Sequence, residues 1–485
     1  MLRPWQIVLG ERIDPSRSTP VYMQIIHSII HDIETGRLSS GTFLPSSREL
    51  AKMLDVNRKT VVFAYEDLIA QGWLCSVGTR GTMVSESLPK QNLSSKSEDS
   101  AGGSETAGFS FRAPPERPLA VPQGTGLKLD EGSPDGRIFP FDQLARAYRA
   151  AIQKTAQANR FQYLDPKGSE NLREQIAEML RSQRGLPVTM DNICVTRGSQ
   201  NALFLSLQVL VKPGDAVIVE ELTYEPAVAA IKAIGGQVLP VGLDEGGINV
   251  EEVELACRRH AVRAIFLTPH HQFPTTVALR PERRLPLLEL ARKYGFAIIE
   301  DDYDHEFHFQ SQPLLPMASY ALEQVMYVGS LSKLLLPTLR IGYLAAPAPV
   351  IDALAHRISL TDGMGNAVTE ETAAHLMENG ELLRHSRKAW RLYAKRRLNF
   401  ARLLEQHLGA HAKFDMPDGG LAFWVRFDRE IMKVEEQMRQ GGLRFASSQS
   451  FATRDTATPG LRFGFASLTD IEAEETIMTV ARALS

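Results

Sequence analysis

Lys333 and Arg340 interrupt the otherwise apolar stretch VGSLSKLLLPTLRIGYLAAP, residues 328–347, which contains no carboxylate to pair with either. An ammonium taken out of water is costly unless it is paired or discharged. The chain must therefore offer Lys333 a partner or a chemical use, and an amine with a lowered pKa is a nucleophile toward carbonyl carbon. A second concentration of reactive groups is EDDYDHEFH, residues 300–308. Its carboxylates and His305 or His308 are hard and borderline metal ligands. Seven side chains alternating through an extended segment cannot all converge on one ion, and acidic loops are commonly just solvated, so no metal is expected there.

The elements that position these groups follow from apolar periodicity. From about residue 187, the runs NICVT, DAVIVE, QVLPV, RAIFLT, FAIIE, VMYVG and RIGYLA alternate with helical patterns. This predicts a mostly parallel sheet with helices on both faces, an α/β architecture. Ligands of such sheets bind beyond the carboxyl ends of the strands. The segments in those places are GSQNAL, EELTY, TPHHQFPTT, EDDYDHEF and GSLSK.

The chain has 485 residues, a net charge of −3 and ordinary apolar and charged fractions. This fits two or three soluble domains with a large core and excludes a disordered or fibrous chain or one that coats nucleic acid. Cys75, Cys194 and Cys257 are scattered without C-x-x-C spacing, which gives neither a disulfide framework nor a zinc knuckle. No signal-like leader and no membrane-length apolar run is present, and a cytoplasmic protein is expected. A stretch rich in Ser, Gly, Pro and charge separates residues 14–86 from 123–485. It reads as a linker over 87–122, with an r.m.s. span of about 30 Å if roughly 30 residues are flexible.

In the front segment, Ile25, Ile26, Ile29, Ile30 and Ile33 share one helical face that stops at Gly36. Ser46 and Glu49 have capping-box spacing, and Asn57 can cap a third helix with Val61, Ala64, Tyr65, Leu68 and Ile69 inward and Gly72 closing it. Two short strands, WLCSV and TMVS, follow around GTRG. The order of helix, helix-turn-helix and hairpin, with LPSSRELA and the xxTVxxAYxxL helix, resembles the winged helix-turn-helix of the GntR superfamily. The resemblance implies that Arg58, Lys59 and Thr60 enter the major groove of operator DNA, while Arg48 and Arg80 contact backbone or groove edge. Residues 17–86 hold seven basic and seven acidic residues, but Arg37 to Lys59 has five basic against two acidic. Asp55 stands where the family has a turn glycine, and no basic residue precedes the first wing glycine.

Most of residues 127–485 resembles the pyridoxal-phosphate enzymes of the fold-type-I aminotransferase class, with a large subdomain at about 160–350 and a small one from the flanking segments. With the front domain, the whole is similar to a MocR-type (GabR-like) transcriptional regulator. The resemblance implies that Lys333 forms an aldimine with the cofactor aldehyde, which gives the lysine its use. It further implies Asp301 on the pyridine nitrogen, Tyr303 on the ring oxygen and Tyr224 stacked on the ring. Gly198 and Ser199 at a helix N-terminus, Ser330, Ser332 and the fork of Arg340 would hold the phosphate. Arg462 would grip an effector carboxylate, and Tyr163 would reach into the neighbouring subunit of a head-to-tail dimer. A second arginine found in relatives that recognise γ-aminobutyrate is Pro226 here, so another amino compound is expected as effector. Thr276 ends TPHHQFPTT where relatives have glycine. A catalytic aminotransferase with an accessory DNA-binding domain is the alternative. The tethered winged helix favours a sensor, because a catalyst has no need of one.

Overall fold

A computed structural model describes residues 12–89, 109–110, 126–159, 162–310, 313–454 and 458–484. The chain divides into two compact units, Met1–Pro115 and Glu116–Ser485. Most of the expected linker, residues 90–108 and 111–122, lies outside the described residues.

The first unit contains α1 (Val21–Glu34), α2 (Ser47–Met53), α3 (Arg58–Ala70), β1 (Leu74–Ser76) and β2 (Thr82–Val84). The five isoleucines of α1 are buried, and they meet Leu50, Val61, Ala64, Tyr65, Leu68 and Trp73 in one core. Ile69, expected inward, is only half-buried, at the margin of that core. Ser46 and Glu49 form the reciprocal capping box at α2, and Asn57 accepts from Lys59 N at 2.8 Å to open α3. β1 and β2 pair antiparallel through Leu74–Val84, Cys75–Met83 and Ser76–Thr82.

In the second unit all seven apolar runs are strands of one sheet. They are β3 (Ile193–Thr196), β4 (Ala216–Glu220), β5 (Gln237–Val241), β8 (Val262–Leu267), β9 (Ala297–Asp302), β10 (Val325–Ser330) and β11 (Gly342–Ala345). A two-stranded ribbon, β6 (Leu243–Asp244) and β7 (Gly247–Ile248), lies between β5 and β8 in sequence. The sheet order is β3-β11-β10-β9-β8-β4-β5. It is parallel except for β11, which runs antiparallel to both of its neighbours. Strand periodicity divides the side chains between two cores. Ile218, Ile265, Ile298 and Tyr327 face one, while Val217, Phe266, Ile299 and Val328 face the other. A second sheet, β12 (Ala412–Phe414), β13 (Ala422–Phe427) and β14 (Gly460–Gly464), is antiparallel and joins the first core.

Both non-glycine departures in the sequence fall at left-handed backbone: Asp55 has φ 51° and Thr276 has φ 64°. A β-branched residue is strained sterically there in a way Asp is not. Thr276→Gly should therefore raise the stability of the chain by about 1 kcal/mol, a penalty of roughly 1–2 kcal/mol relieved against roughly 0.4–1 kcal/mol of unfolded-chain entropy. Denaturant midpoints of the two proteins at equal slope check this.

Candidate cofactor and effector site

The carboxyl ends of β9 and β10 lie side by side, with Val328 opposite Asp301. The loop leaving β10 brings Ser332 and Lys333 over them, and Lys333 Nζ donates to the carbonyl of Gly132 at 2.5 Å. That carbonyl is a neutral partner. Loss of solvent pushes the lysine pKa down, against the pull of Asp304, Asp130 and Glu131. Lys333 is thus poised toward the free amine, the form that attacks carbonyl carbon.

Asp301 is buried, and its Oδ1 has no hydrogen-bond partner. Burial pushes its carboxyl up to about 8, with Asp302 and Asp304 adding and Lys333 opposing. A buried acceptor held this way is a site for a protonated ring nitrogen or another cationic donor. Tyr303 donates its hydroxyl to the carbonyl of His271 at 3.0 Å and accepts from Arg462 Nη2 at 3.2 Å. Tyr224 sits at the N-cap of the helix Glu225–Ala233, edge-on to Phe273 with ring centroids 5.4 Å apart.

Gly198 caps the helix Ser199–Leu210 with φ 82°. A Cβ on Gly198 would lie 3.0 Å from Arg340 Nη2, so the glycine makes room for the guanidinium. Arg340, itself at φ 52°, donates to the carbonyl of Arg197 at 3.0 Å. Ser330 Oγ accepts from Ser332 N at 3.1 Å, whereas Ser332 Oγ is buried without a partner. The helix amides, two hydroxyls and a guanidinium form a cradle for an anion.

These groups line one cavity of about 320 Å³: Ser199, Tyr224, Asp301, Tyr303, Ser330, Ser332, Lys333 and Arg340 all border it. Gly198 lies beneath Arg340 at its edge. Arg462 is buried in β14 and joins through Tyr303. Its Nε donates to the carbonyl of Glu131 and its Nη1 to that of Pro274, both at 2.8 Å, and its guanidinium lies over Phe273 at 4.8 Å. Tyr163 is not brought into this cavity; it is 90% exposed. Sequence reasoning missed Lys128, Glu131, Gly132 and Phe273, which also line the cavity. Phe273 was signalled by its place after a strand, in HQFP. The segment around Gly132 carried no such signal, since it lies 201 residues before Lys333.

In the first unit Arg48, Arg58, Lys59 and Arg80 are exposed and Thr60 half-buried. Arg58, Lys59 and Thr60 form the first turn of α3, and Arg80 ends the turn between β1 and β2. Arg58 Nε lies 3.4 Å from Ser47 Oγ, linking α3 to α2.

The aminotransferase class I and II family matches residues 126–480, and the bacterial regulatory proteins of the gntR family match residues 21–84. The chain is 30% identical to a protein of Rhizobium meliloti described as the probable rhizopine catabolism regulatory protein MocR, over 86% of this chain and 84% of that one. It is 28% identical to the pyridoxine biosynthesis transcriptional regulator PdxR of Corynebacterium glutamicum, over 94% of both chains. Among solved structures, a kynurenine aminotransferase of Pyrococcus horikoshii superposes with a TM-score of 0.69 at 28% identity, covering 74% of this chain and 90% of that one. No helix among the described residues is long and apolar enough to cross a membrane. The two family matches lie in one chain that aligns over most of its length with those regulators, and the chain belongs to the MocR-type regulators, a gntR-family winged helix-turn-helix joined to an aminotransferase class I and II domain.

Proposed function

We propose that this regulator holds pyridoxal phosphate in the 320 Å³ cavity and uses it to sense a primary amino compound, changing its hold on operator DNA in response. The observation that supports this most is the pair of buried, partnerless atoms, Asp301 Oδ1 and Ser332 Oγ, on two residues that line a cavity which also contains an amine. They match a ligand with a basic ring nitrogen at one end and a phosphate at the other. When bound, the cofactor supplies an aldehyde that condenses reversibly with primary amines.

The residues divide the work. Asp301 would hold the ring nitrogen protonated, and Tyr303 would orient the ring oxygen while keeping Arg462 in place. Tyr224 would cover the ring face. Gly198, Ser199, Ser330, Ser332 and Arg340 would fix the phosphate. Lys333 would occupy the reacting carbon until an effector amine displaces it, with Arg462 available to an effector carboxylate. A dimer in which Tyr163 of each chain reaches the other's cavity accounts for a 90% exposed tyrosine. The first unit would present Arg58, Lys59 and Thr60 to the major groove, with Arg48 and Arg80 at its edges.

A screen of amino compounds for spectral change in the cofactor-loaded protein, followed by footprinting on the region upstream of its own gene, tests the reading. Amine-dependent change in a specific footprint is expected. Sustained keto-acid production without specific DNA binding would instead establish a transaminating enzyme. Gly198→Ala gives a narrower test. Left-handed backbone costs it about 1–2 kcal/mol and the new Cβ displaces Arg340, so cofactor affinity should fall by about tenfold or more in a fluorescence titration.

A further inference from the structure

Three groups of the EDDYDHEFH region and its neighbour do converge, although seven could not. His270, on the loop after β8, meets Asp302, the last residue of β9, and His305 three residues further on. One ligand atom from each lies within 4.8 Å of the others, and all three residues are buried. Asp302 Oδ2 is 2.8 Å from His305 Nδ1 and 3.7 Å from His270 Nδ1. Two ligands of a tetrahedral ion bound at about 2.0 Å stand roughly 3.3 Å apart, between those two distances.

The tautomers sharpen the case. His270 Nε2 lies 2.6 Å from the carbonyl of Leu314, which can only accept, so Nε2 carries the proton. Its Nδ1 then points a bare lone pair at a carboxylate, and that Nδ1 is buried with no hydrogen-bond partner. Asp302 Oδ1 is likewise buried and partnerless. The carboxylate atom that His270 Nδ1 faces is Asp302 Oδ2, at 3.7 Å, and two acceptor atoms this close out of water call for a cation between them.

The surroundings have the form of a metal ligand's supporting groups. A ligating histidine donates its other ring N–H to a carbonyl or carboxylate, as His270 does to Leu314. Asp302 Oδ2 accepts from the hydroxyl of Tyr327 at 2.6 Å, and Tyr327 in turn accepts from Arg184. Both fix the carboxylate. Adjacent residues of a strand face opposite sides of the sheet, so Asp302 turns away from the side Asp301 serves.

We propose that His270, Asp302 and His305 bind a divalent transition-metal ion of the zinc class, on the opposite side of β9 from the cofactor cavity. Imidazole and carboxylate ligands suit this class over magnesium or calcium. His270 offers Nδ1. His305 offers Nδ1 as well, its proton moving to Nε2, so the ring remains neutral. Asp302 offers Oδ2, and either its Oδ1 or a water completes four-coordination. The ion would tie the end of β9 to the loop after β8, whose His271 carbonyl receives the Tyr303 hydroxyl in the cofactor cavity. Metal would thereby brace one wall of that cavity.

The test uses the full chain, stripped with chelator and titrated with Zn²⁺ against a competing chelator, with bound metal measured by mass spectrometry. One ion per chain is expected. Co²⁺ in its place should give four-coordinate visible bands without the thiolate charge-transfer band that Cys75, Cys194 or Cys257 would produce. His270→Ala and His305→Gln should weaken binding by more than the roughly 10- to 100-fold typical of losing a supporting group, the loss expected for Tyr327→Phe. His356→Ala, an exposed histidine elsewhere, should leave it unchanged. A wild-type chain that retains no zinc, a cobalt spectrum of thiolate or six-coordinate type, or undiminished affinity in folded His270→Ala overturns the proposal. A water between His270 and Asp302 would then fill the gap. The wild-type titration and spectrum decide the matter even where a variant fails to fold.

Discussion

Lys333→Ala should replace the absorption of the lysine-linked cofactor by that of the free aldehyde and abolish the footprint response to amines, while operator affinity without effector stays largely as in the wild type. The reason lies in how Lys333 is held. Its Nζ makes one hydrogen bond, to the carbonyl of Gly132, and makes no ion pair among the described residues. Desolvation lowers its pKa. Removing the side chain takes away the amine that the cofactor aldehyde would engage, but leaves Asp301, Tyr303, Ser330 and Arg340 to hold ring and phosphate. Cofactor should still bind, more weakly, with an absorption like that of the free aldehyde. The winged helix is a separate compact unit with its own core, so its folding does not depend on this cavity. A Lys333→Ala protein whose footprint still changed with amines would defeat the sensing mechanism.

The second large effect is expected at the other end of the chain. Arg58→Ala with Lys59→Ala should weaken operator binding by about 10- to 100-fold and flatten the salt dependence of log affinity by about one to two units. Both side chains are exposed on the first turn of α3, and among the described residues neither has an acidic partner within 4 Å, nor do Arg48 and Arg80. By contrast Arg12 and Arg37 of the same unit are paired with the buried Asp32, at 2.9 and 3.3 Å. Structural cations are thus tied down within the unit, and others remain where phosphates and base edges could meet them. Binding isotherms at several salt concentrations measure both quantities. An unchanged slope would place the DNA face elsewhere on the unit.

The elements were largely legible because their signals are local. Each of the seven apolar runs is a strand of the one sheet, and both helix caps of the DNA-reading unit were visible as residue pairs three apart or as a lone Asn before a helix. Their order was not legible. The strands sit β3-β11-β10-β9-β8-β4-β5, with β11 reversed, because apolar alternation specifies which face a side chain takes and says nothing of which strand lies beside it. The metal reading shows the same limit. Counting side chains along EDDYDHEFH correctly denied that all seven converge, but could not show that His270 arrives from a different loop to meet two of them.

By itself the sequence determined the two-part architecture, the class of fold in each part, and the strand-end and helix-start residues available for chemistry. Those depend on composition, period and capping over a few residues. Tertiary structure alone decided that the carbonyl of Gly132 receives Lys333, that Arg462 reaches Tyr303 from another sheet, and that Glu131 and Lys128 wall the cavity. It also left Thr276 and Arg340 at positive φ. Contacts between residues some 160 to 330 positions apart are set by how the sheets and helices pack, a global balance of burial against chain entropy that no local spacing encodes.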